Sequence, residues 1–286
     1  AIHFLLSTDF TYLFFKNCDD TLLLCHNIPM IQFIKKWFHR RFYKKPVILC
    51  IHGFGRRRSH EYDNFKLWGQ KDYEFVTFDI FDYKDEADTN ANQWIQRCEI
   101  QMEQLLLKHH EVYVIGFSMG GVLASHIASK YPVKKLILLA PAFEYISAKT
   151  VLEVVGKLLS QQKNPSDMSV KHTQAFREVV SACKDDIAAV TCPVLFVHGD
   201  SDPVIPLRSS INAYNKIKHE EKRLYILHEG VHRLMLMTNT NNEVYELFDA
   251  FMHDRIVTKL RPQAFDPYAE NNEEQPVDIQ NKNEAT

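Results

Sequence analysis

An α/β architecture with a central, mostly parallel sheet flanked by helices is predicted by three observations. Short, mostly continuous apolar runs at 47–51, 75–80, 112–115, 136–139, 194–197 and 223–227 have the character of strands buried on both faces. Helical stretches at 92–109, 119–130, 209–218 and 242–259 alternate with them, which is how a parallel sheet receives its crossovers. Finally, seven of the nine glycines fall in four short motifs near the ends of these runs. Glycine admits positive φ or a close backbone approach, so clustered copies mark turns that chemistry uses.

At the N-terminal end, two β-prone runs at 10–17 and 21–26 flank Cys18-Asp19-Asp20 and read as a hairpin over 10–26. The next segment, 28–45, is amphipathic. At 100° per residue Ile31, Phe33, Ile34, Trp37, Phe38 and Phe42 share one half of a helical wheel and Gln32, Lys35, Lys36, His39 and Arg40 the other, with Arg41 breaking the pattern. Such a stripe packs against a sheet, and its basic, Trp/Phe-rich character is also that of a helix lying weakly on a membrane surface. The interval 143–190 holds helical patterns at 148–159 and 173–183 but no strand, and is expected to be a small helical insertion. Residues 261–286 carry six acidic side chains against two basic and are expected to be a disordered acidic tail, leaving 1–260 as one domain.

Composition narrows the function. The 286 residues are 45% hydrophobic and 24% charged, enough to bury a sizeable core, and the net charge of -2 offers no basic field for a nucleic acid. Asp9 interrupts the early apolar residues, and no run of about 18 apolar residues long enough to span a bilayer follows. No leader pattern is visible in a chain that starts at Ala1. Cys18, Cys25, Cys50, Cys98, Cys183 and Cys192 are widely spaced with no C-x-x-C pair, which fits reduced buried thiols and a cytoplasmic protein. No cysteine has a partner at zinc-ligand spacing, Cys25-His26 being adjacent, so no metal site is expected.

The chemistry centres on Gly116-Phe117-Ser118-Met119-Gly120-Gly121, between the run at 112–115 and the helix at 119–130. A strand that turns sharply into a helix between small residues projects a serine hydroxyl near the positive helix end. Serine is a weak nucleophile that needs a histidine base, and the histidine needs a carboxylate. Both follow in the chain. The run at 194–197 leads into His198-Gly199-Asp200-Ser201-Asp202-Pro203-Val204-Ile205-Pro206, and the run at 223–227 ends in His228-Glu229-Gly230-Val231-His232. His52-Gly53-Phe54-Gly55 follows the first buried run.

On these motifs residues 46–258 resemble an α/β-hydrolase, and the group most similar is that of monoacylglycerol lipases and small carboxylesterases. The order serine, aspartate, histidine is the one that fold uses. The resemblance implies Ser118 as nucleophile, Asp202 as triad acid with Asp200 capping the loop, and His232 as base in preference to His228. It also implies an oxyanion hole from the backbone N–H groups of Phe54 and Met119, with His52 structural and 143–190 as a cap over the acyl pocket. Two departures stand out. Arg56 replaces the second glycine of H-G-x-x-G, and Phe81-Asp82-Tyr83-Lys84 replaces a glycine-containing turn.

The function implied is that of a serine ester hydrolase acting on a small-molecule or lipid ester through an acyl-enzyme, with no cofactor. A thioesterase, an amidase or a C–C hydrolase would use the same residues, and a catalytically silent relative that binds a ligand or partner fits poorly with four intact motifs. Arg56-Arg57-Arg58, beyond the oxyanion loop, read as a solvated turn or as a receptor for an anionic substrate group.

Overall fold

The computed structural model describes residues 6–7, 10–11, 45–109, 111–144, 169–237 and 239–256. It divides into two compact units, residues 1–44 and 45–286. In the first, β1 (Leu6–Ser7) and β2 (Phe10–Thr11) pair antiparallel. The partner of Phe10 and Thr11 is therefore the segment before them. The rest of the expected hairpin and all of the amphipathic segment but Lys45 lie outside the described residues.

In the second unit, β3 (Val47–Ile51) is followed by a 3-10 turn (Arg58–Tyr62), α1 (Asp63–Gly69) and β4 (Glu74–Thr77). Then come α2 (Ala91–Leu106), β5 (Val112–Phe117), α3 (Met119–Lys130) and β6 (Val133–Leu139). The chain continues with α4 (Val170–Cys183), a 3-10 turn (Asp186–Ala189) and β7 (Val194–Gly199). It closes with α5 (Arg208–Lys216), β8 (Lys222–Leu227) and α6 (Asn241–Met252). The six strands β3 to β8 form one sheet of order β4-β3-β5-β6-β7-β8 in which every neighbouring pair is parallel.

Alternation along the central strands sorts the core into two layers. Val47, Leu49, Val112, Val114, Leu136 and Leu138 pack with side chains of α2, α3 and α4. Ile48, Cys50, Tyr113, Ile115, Ile137 and Leu139 pack with Phe65 of α1 and Val244, Phe248 and Phe251 of α6. Residues on both faces are apolar because both faces are covered, so the strands read as continuous apolar runs.

Two strand ends and one helix differ from the sequence expectation, each for a physical reason. The strand expected to reach Ile80 stops at Thr77. Side chains take the backbone groups of Ile80: its N–H donates to His52 Nε2 at 2.9 Å and its carbonyl accepts from Arg97 at 2.7 Å. The strand expected to start at Leu136 starts at Val133, through two lysines. Lys134 is exposed, but Lys135 is buried and donates to the carbonyls of Phe251 and Met252 at 2.7 and 3.0 Å, capping α6. The short helix α1 was not foreseen, because only Phe65 and Gly69 of its residues are buried and the stretch is otherwise polar.

Of the expected cap, α4 is present, with Ser169 Oγ accepting from the His172 N–H at 3.3 Å as its N-cap. The helix expected over 148–159 lies outside the described residues. Lys135→Met removes the donor, leaving the Met252 carbonyl unsatisfied and that of Phe251 with only backbone donors such as the Asp254 N–H at 3.3 Å. A loss of about 1–3 kcal/mol in unfolding free energy is expected by urea titration, and an unchanged midpoint would show that the lysine caps nothing.

Candidate active site

The turn from β5 into α3 places Ser118 at φ 54°, ψ -119°, a backbone conformation unusual for a residue with a side chain. The glycines around it make room for this strain. A Cβ on Gly120 would stand 2.0 Å from the carbonyl oxygen of Ile51, and one on Gly116 would stand 2.3 Å from that of Gly120. None of the described glycines has a positive φ, so here glycine supplies space and the serine carries the unusual dihedral. Backbone bonds hold it there: Ser118 N–H donates to Leu139 at 3.0 Å, while its carbonyl accepts from Gly121 and Ala142.

The loops after β7 and β8 are knitted together at their roots. Gly199 and Gly230 touch so closely that a Cβ on Gly199 would lie 2.0 Å from the Gly230 oxygen, and Ser201 N–H donates to that oxygen at 3.0 Å. This places Asp202 against His232. Oδ1 of Asp202 accepts from the N–H groups of Val204 and Ile205 at 2.8 and 2.9 Å, and Oδ2 lies 2.7 Å from His232 Nδ1. The Asp202 side chain is only 1% exposed. Burial alone would raise its pKa, but hydrogen bonds from His198 and His232, the His232 charge and the Ile205 N–H hold it well below the usual carboxylate range.

An ionised carboxylate only accepts, so His232 carries its proton on Nδ1 and turns Nε2 toward Ser118 Oγ at 3.1 Å. Ser118, His232 and Asp202 thus form one continuous hydrogen-bonded chain. Asp200 and His228 form a separate pair at 2.9 Å, with Asp200 also accepting from the Glu229 N–H, and the His228 side chain is 88% exposed. That is the loop-capping arrangement expected of Asp200.

The loop after β3 lies against the elbow, since a Cβ on Gly53 would meet Ser118 Cβ at 3.0 Å. His52 fixes this loop. Its Nε2 accepts from the Ile80 N–H, so its Nδ1–H donates to the Gly53 carbonyl at 2.7 Å. Burial pulls its pKa down to about 4, against weaker opposing effects of the Gly53 carbonyl and Asp79. The Phe54 ring stacks on Phe176 of α4 with centroids 5.2 Å apart. Among the described residues the N–H groups of Phe54 and Met119 have no acceptor, Met119 being the first residue of α3. Gly55 faces open space, so no packing demands a glycine there.

Arg58 is engaged by Asp79 at 2.9 Å and Asp82 at 3.5 Å, and the guanidinium groups of Arg56 and Arg58 both lie over the Tyr83 ring. The basic turn is thereby tied to the segment after β4. Two neighbours of the site were not singled out in the sequence. Fully buried His198 packs beside Asp202, with Nδ1 2.6 Å from Ser210 Oγ and Nε2 3.1 Å from the Ile205 carbonyl. A histidine closing a continuous apolar run was its only signal. Glu61 is buried with one carboxyl oxygen unpartnered, and burial raises its pKa against the charges of Arg233, Arg57 and His232. It sits in the polar stretch where no element was expected.

Comparison with known proteins bears on the fold. A family model described as alpha/beta hydrolase fold matches residues 46–155, and one described as serine aminopeptidase, S33, matches 165–239. The chain has the α/β-hydrolase fold. Its relatives include peptidases, lipases and esterases. A proline iminopeptidase of Elizabethkingia meningoseptica is 29% identical over 68% of this chain and 66% of its own length. A lysophosphatidylserine lipase of Danio rerio is 21% identical over 63% and 50%. The chain thus spans half to two thirds of the length of these curated relatives. Among solved structures, a monoacylglycerol lipase of Paleococcus ferrophilus superposes with a TM-score of 0.58 at 15% identity, covering 75% of this chain and 97% of that one. Among the described residues no helix is long and apolar enough to cross a membrane.

The buried neutral His52 gives stability a defined pH dependence. Its folded pKa, about 4, lies below the ordinary 6.5, so between these values the unfolded chain takes up a proton that the folded chain refuses. Its contribution is full above pH 6.5 and is lost as the pH falls toward 4, by up to about 3 kcal/mol. Urea titrations of wild type and His52→Gln should therefore converge as the pH is lowered through this window. A constant difference between the two would contradict the neutral, buried state.

Proposed function

We propose that this chain is a serine hydrolase of carboxylic esters that carries the acyl group transiently on Ser118. The observation that carries the reading is the unbroken chain from Ser118 Oγ through His232 to Asp202, at 3.1 and 2.7 Å, with the serine on a strained strand-to-helix turn. In this reading Ser118 Oγ attacks the acyl carbon as its proton passes to His232 Nε2. Asp202 stabilises the imidazolium, and the Phe54 and Met119 N–H groups receive the oxyanion. The intermediate collapses, His232 returns the proton to the leaving alcohol oxygen, and water cleaves the acyl-enzyme by the same steps. The reaction uses only side chains and backbone amides of the protein.

An ester of a small or lipid acid is supported by the lipase and esterase relatives and by the aromatic wall of Phe54 and Phe176 beside the oxyanion loop. A second reading, hydrolysis of an amide at a peptide N-terminus, is supported by the serine aminopeptidase match and the proline iminopeptidase relative. Thioesters and C–C bonds call on the same residues. A reducing, cytoplasmic setting is supported by the described cysteines Cys50, Cys98, Cys183 and Cys192, all buried and unpaired.

Steady-state assays with p-nitrophenyl esters of graded chain length, beside amino-acyl p-nitroanilides, separate the readings. Ester turnover should exceed anilide turnover in kcat/KM, and the reverse result would install the peptidase reading. Ser118→Ala and His232→Ala are expected to lower kcat by about 10⁶. Asp202→Asn is expected to lower it by about 10⁴, while Asp200→Asn and His228→Ala leave it unchanged. Activity that survives loss of His232 but not of His228 would overturn the assignment of the base.

A further inference from the structure

Behind the elbow, α3 meets α2 and α4 at a cluster that the proposed reaction does not use. His126 of α3, Cys183 at the end of α4 and Asp186 of the following 3-10 turn each offer one ligand atom, all within 4.8 Å of one another. His126 Nδ1 lies 2.6 Å from Asp186 Oδ2. Its other nitrogen, Nε2, lies 3.1 Å from Glu99 Oε1 of α2, and that oxygen is itself held by Lys130 Nζ at 2.6 Å.

We propose that His126 Nδ1, Cys183 Sγ and an Asp186 carboxylate oxygen form a binding site for a borderline-soft divalent cation of the zinc type, with Glu99 as the carboxylate that orients the histidine. Sulfur, nitrogen and oxygen donors together suit such an ion. A metal-bound histidine characteristically gives its second N–H to a carboxylate, which fixes the tautomer and the ring plane, and Glu99 is already in that place. Ligand atoms around tetrahedral zinc stand roughly 3.3–3.8 Å apart, from its bond lengths of about 2.0–2.3 Å. The cluster reaches that spacing by small rotations, chiefly of Asp186, whose side chain is 34% exposed. Cys183 is 1% exposed, so the sulfur forms the floor of the site, and the open edge beside Asp186 leaves a fourth position for water.

Binding is a proton exchange without redox change. The cation replaces the proton that His126 Nδ1 shares with Asp186 and the thiol proton of Cys183, and both protons leave to solvent. Its consequence is mechanical. The ion would link α3, which begins directly after Ser118, to α4, whose Phe176 stacks on Phe54 of the oxyanion loop.

The test uses the full chain, stripped with chelator and titrated with Co²⁺ and then Zn²⁺. Cobalt is expected to give a thiolate-to-metal charge-transfer band in the near ultraviolet, which Zn²⁺ abolishes. Cys183→Ser should lose the band. Glu99→Gln should keep it with affinity lowered about 10–100-fold, and Asp186→Asn, at a partly exposed side chain, should weaken binding at least as much even where Cys183→Ser fails to fold. No band in the wild type, a band retained in Cys183→Ser, or wild-type affinity in Asp186→Asn would each overturn the site. The readout is optical, so it stands apart from any loss of esterase activity.

Discussion

Everything at the site depends on how closely the start of α3 approaches the end of β3. With the Gly120 Cα at a point where one methyl group would collide with the Ile51 carbonyl, the first turn of the helix slides under the carboxyl edge of the sheet. That leaves the strand no gradual way into the helix, and the residue at the corner takes φ 54°. Strain of this kind costs about 1–3 kcal/mol and persists only where its surroundings over-determine it. Here the surroundings are the ladders on both sides of β5, the Leu139 carbonyl and the Gly53 loop pressed against Ser118. A hydroxyl is thereby lifted from the sheet edge beside the free N–H groups of a helix start.

The same logic recurs at the second and third loops. Gly199 and Gly230 make backbone contact, which draws the loop after β7 and the loop after β8 into one unit. Asp202 is then saturated by two backbone N–H groups and His232, so a buried carboxylate stays ionised in a place where burial alone would neutralise it. His198, buried behind Asp202 and tied to Ser210 of α5, closes the back of this arrangement. Two close glycine contacts, one per loop system, therefore fix the distances on which proton transfer would depend.

Much of this was legible in the chain because the signals were local. Apolar runs gave the strands, and the elbow and the aspartate loop are contiguous motifs. Three kinds of information were not local. The end of β4 is set by His52, 28 residues away in sequence, which takes the Ile80 N–H. The start of β6 is hidden by two lysines, one of which is buried because the end of α6 offers it two carbonyls and Asp254 its carboxylate. The cluster of Glu99, His126, Cys183 and Asp186 draws on α2, α3, the end of α4 and the turn after it, so spacing along the sequence does not bring Glu99 and His126 to the other two. Clustered glycines mark either positive φ or a close backbone approach; the structure shows the close approach and gives the unusual dihedral to the serine.

The central claim is that Ser118 is a nucleophile activated by His232. It is tested most directly by treating the protein with a fluorophosphonate and mapping the adduct by mass spectrometry. One adduct per chain is expected, on the peptide that contains Ser118, with its disappearance in His232→Ala. An unlabelled Ser118 in the folded wild-type protein, or labelling indifferent to His232, would contradict it.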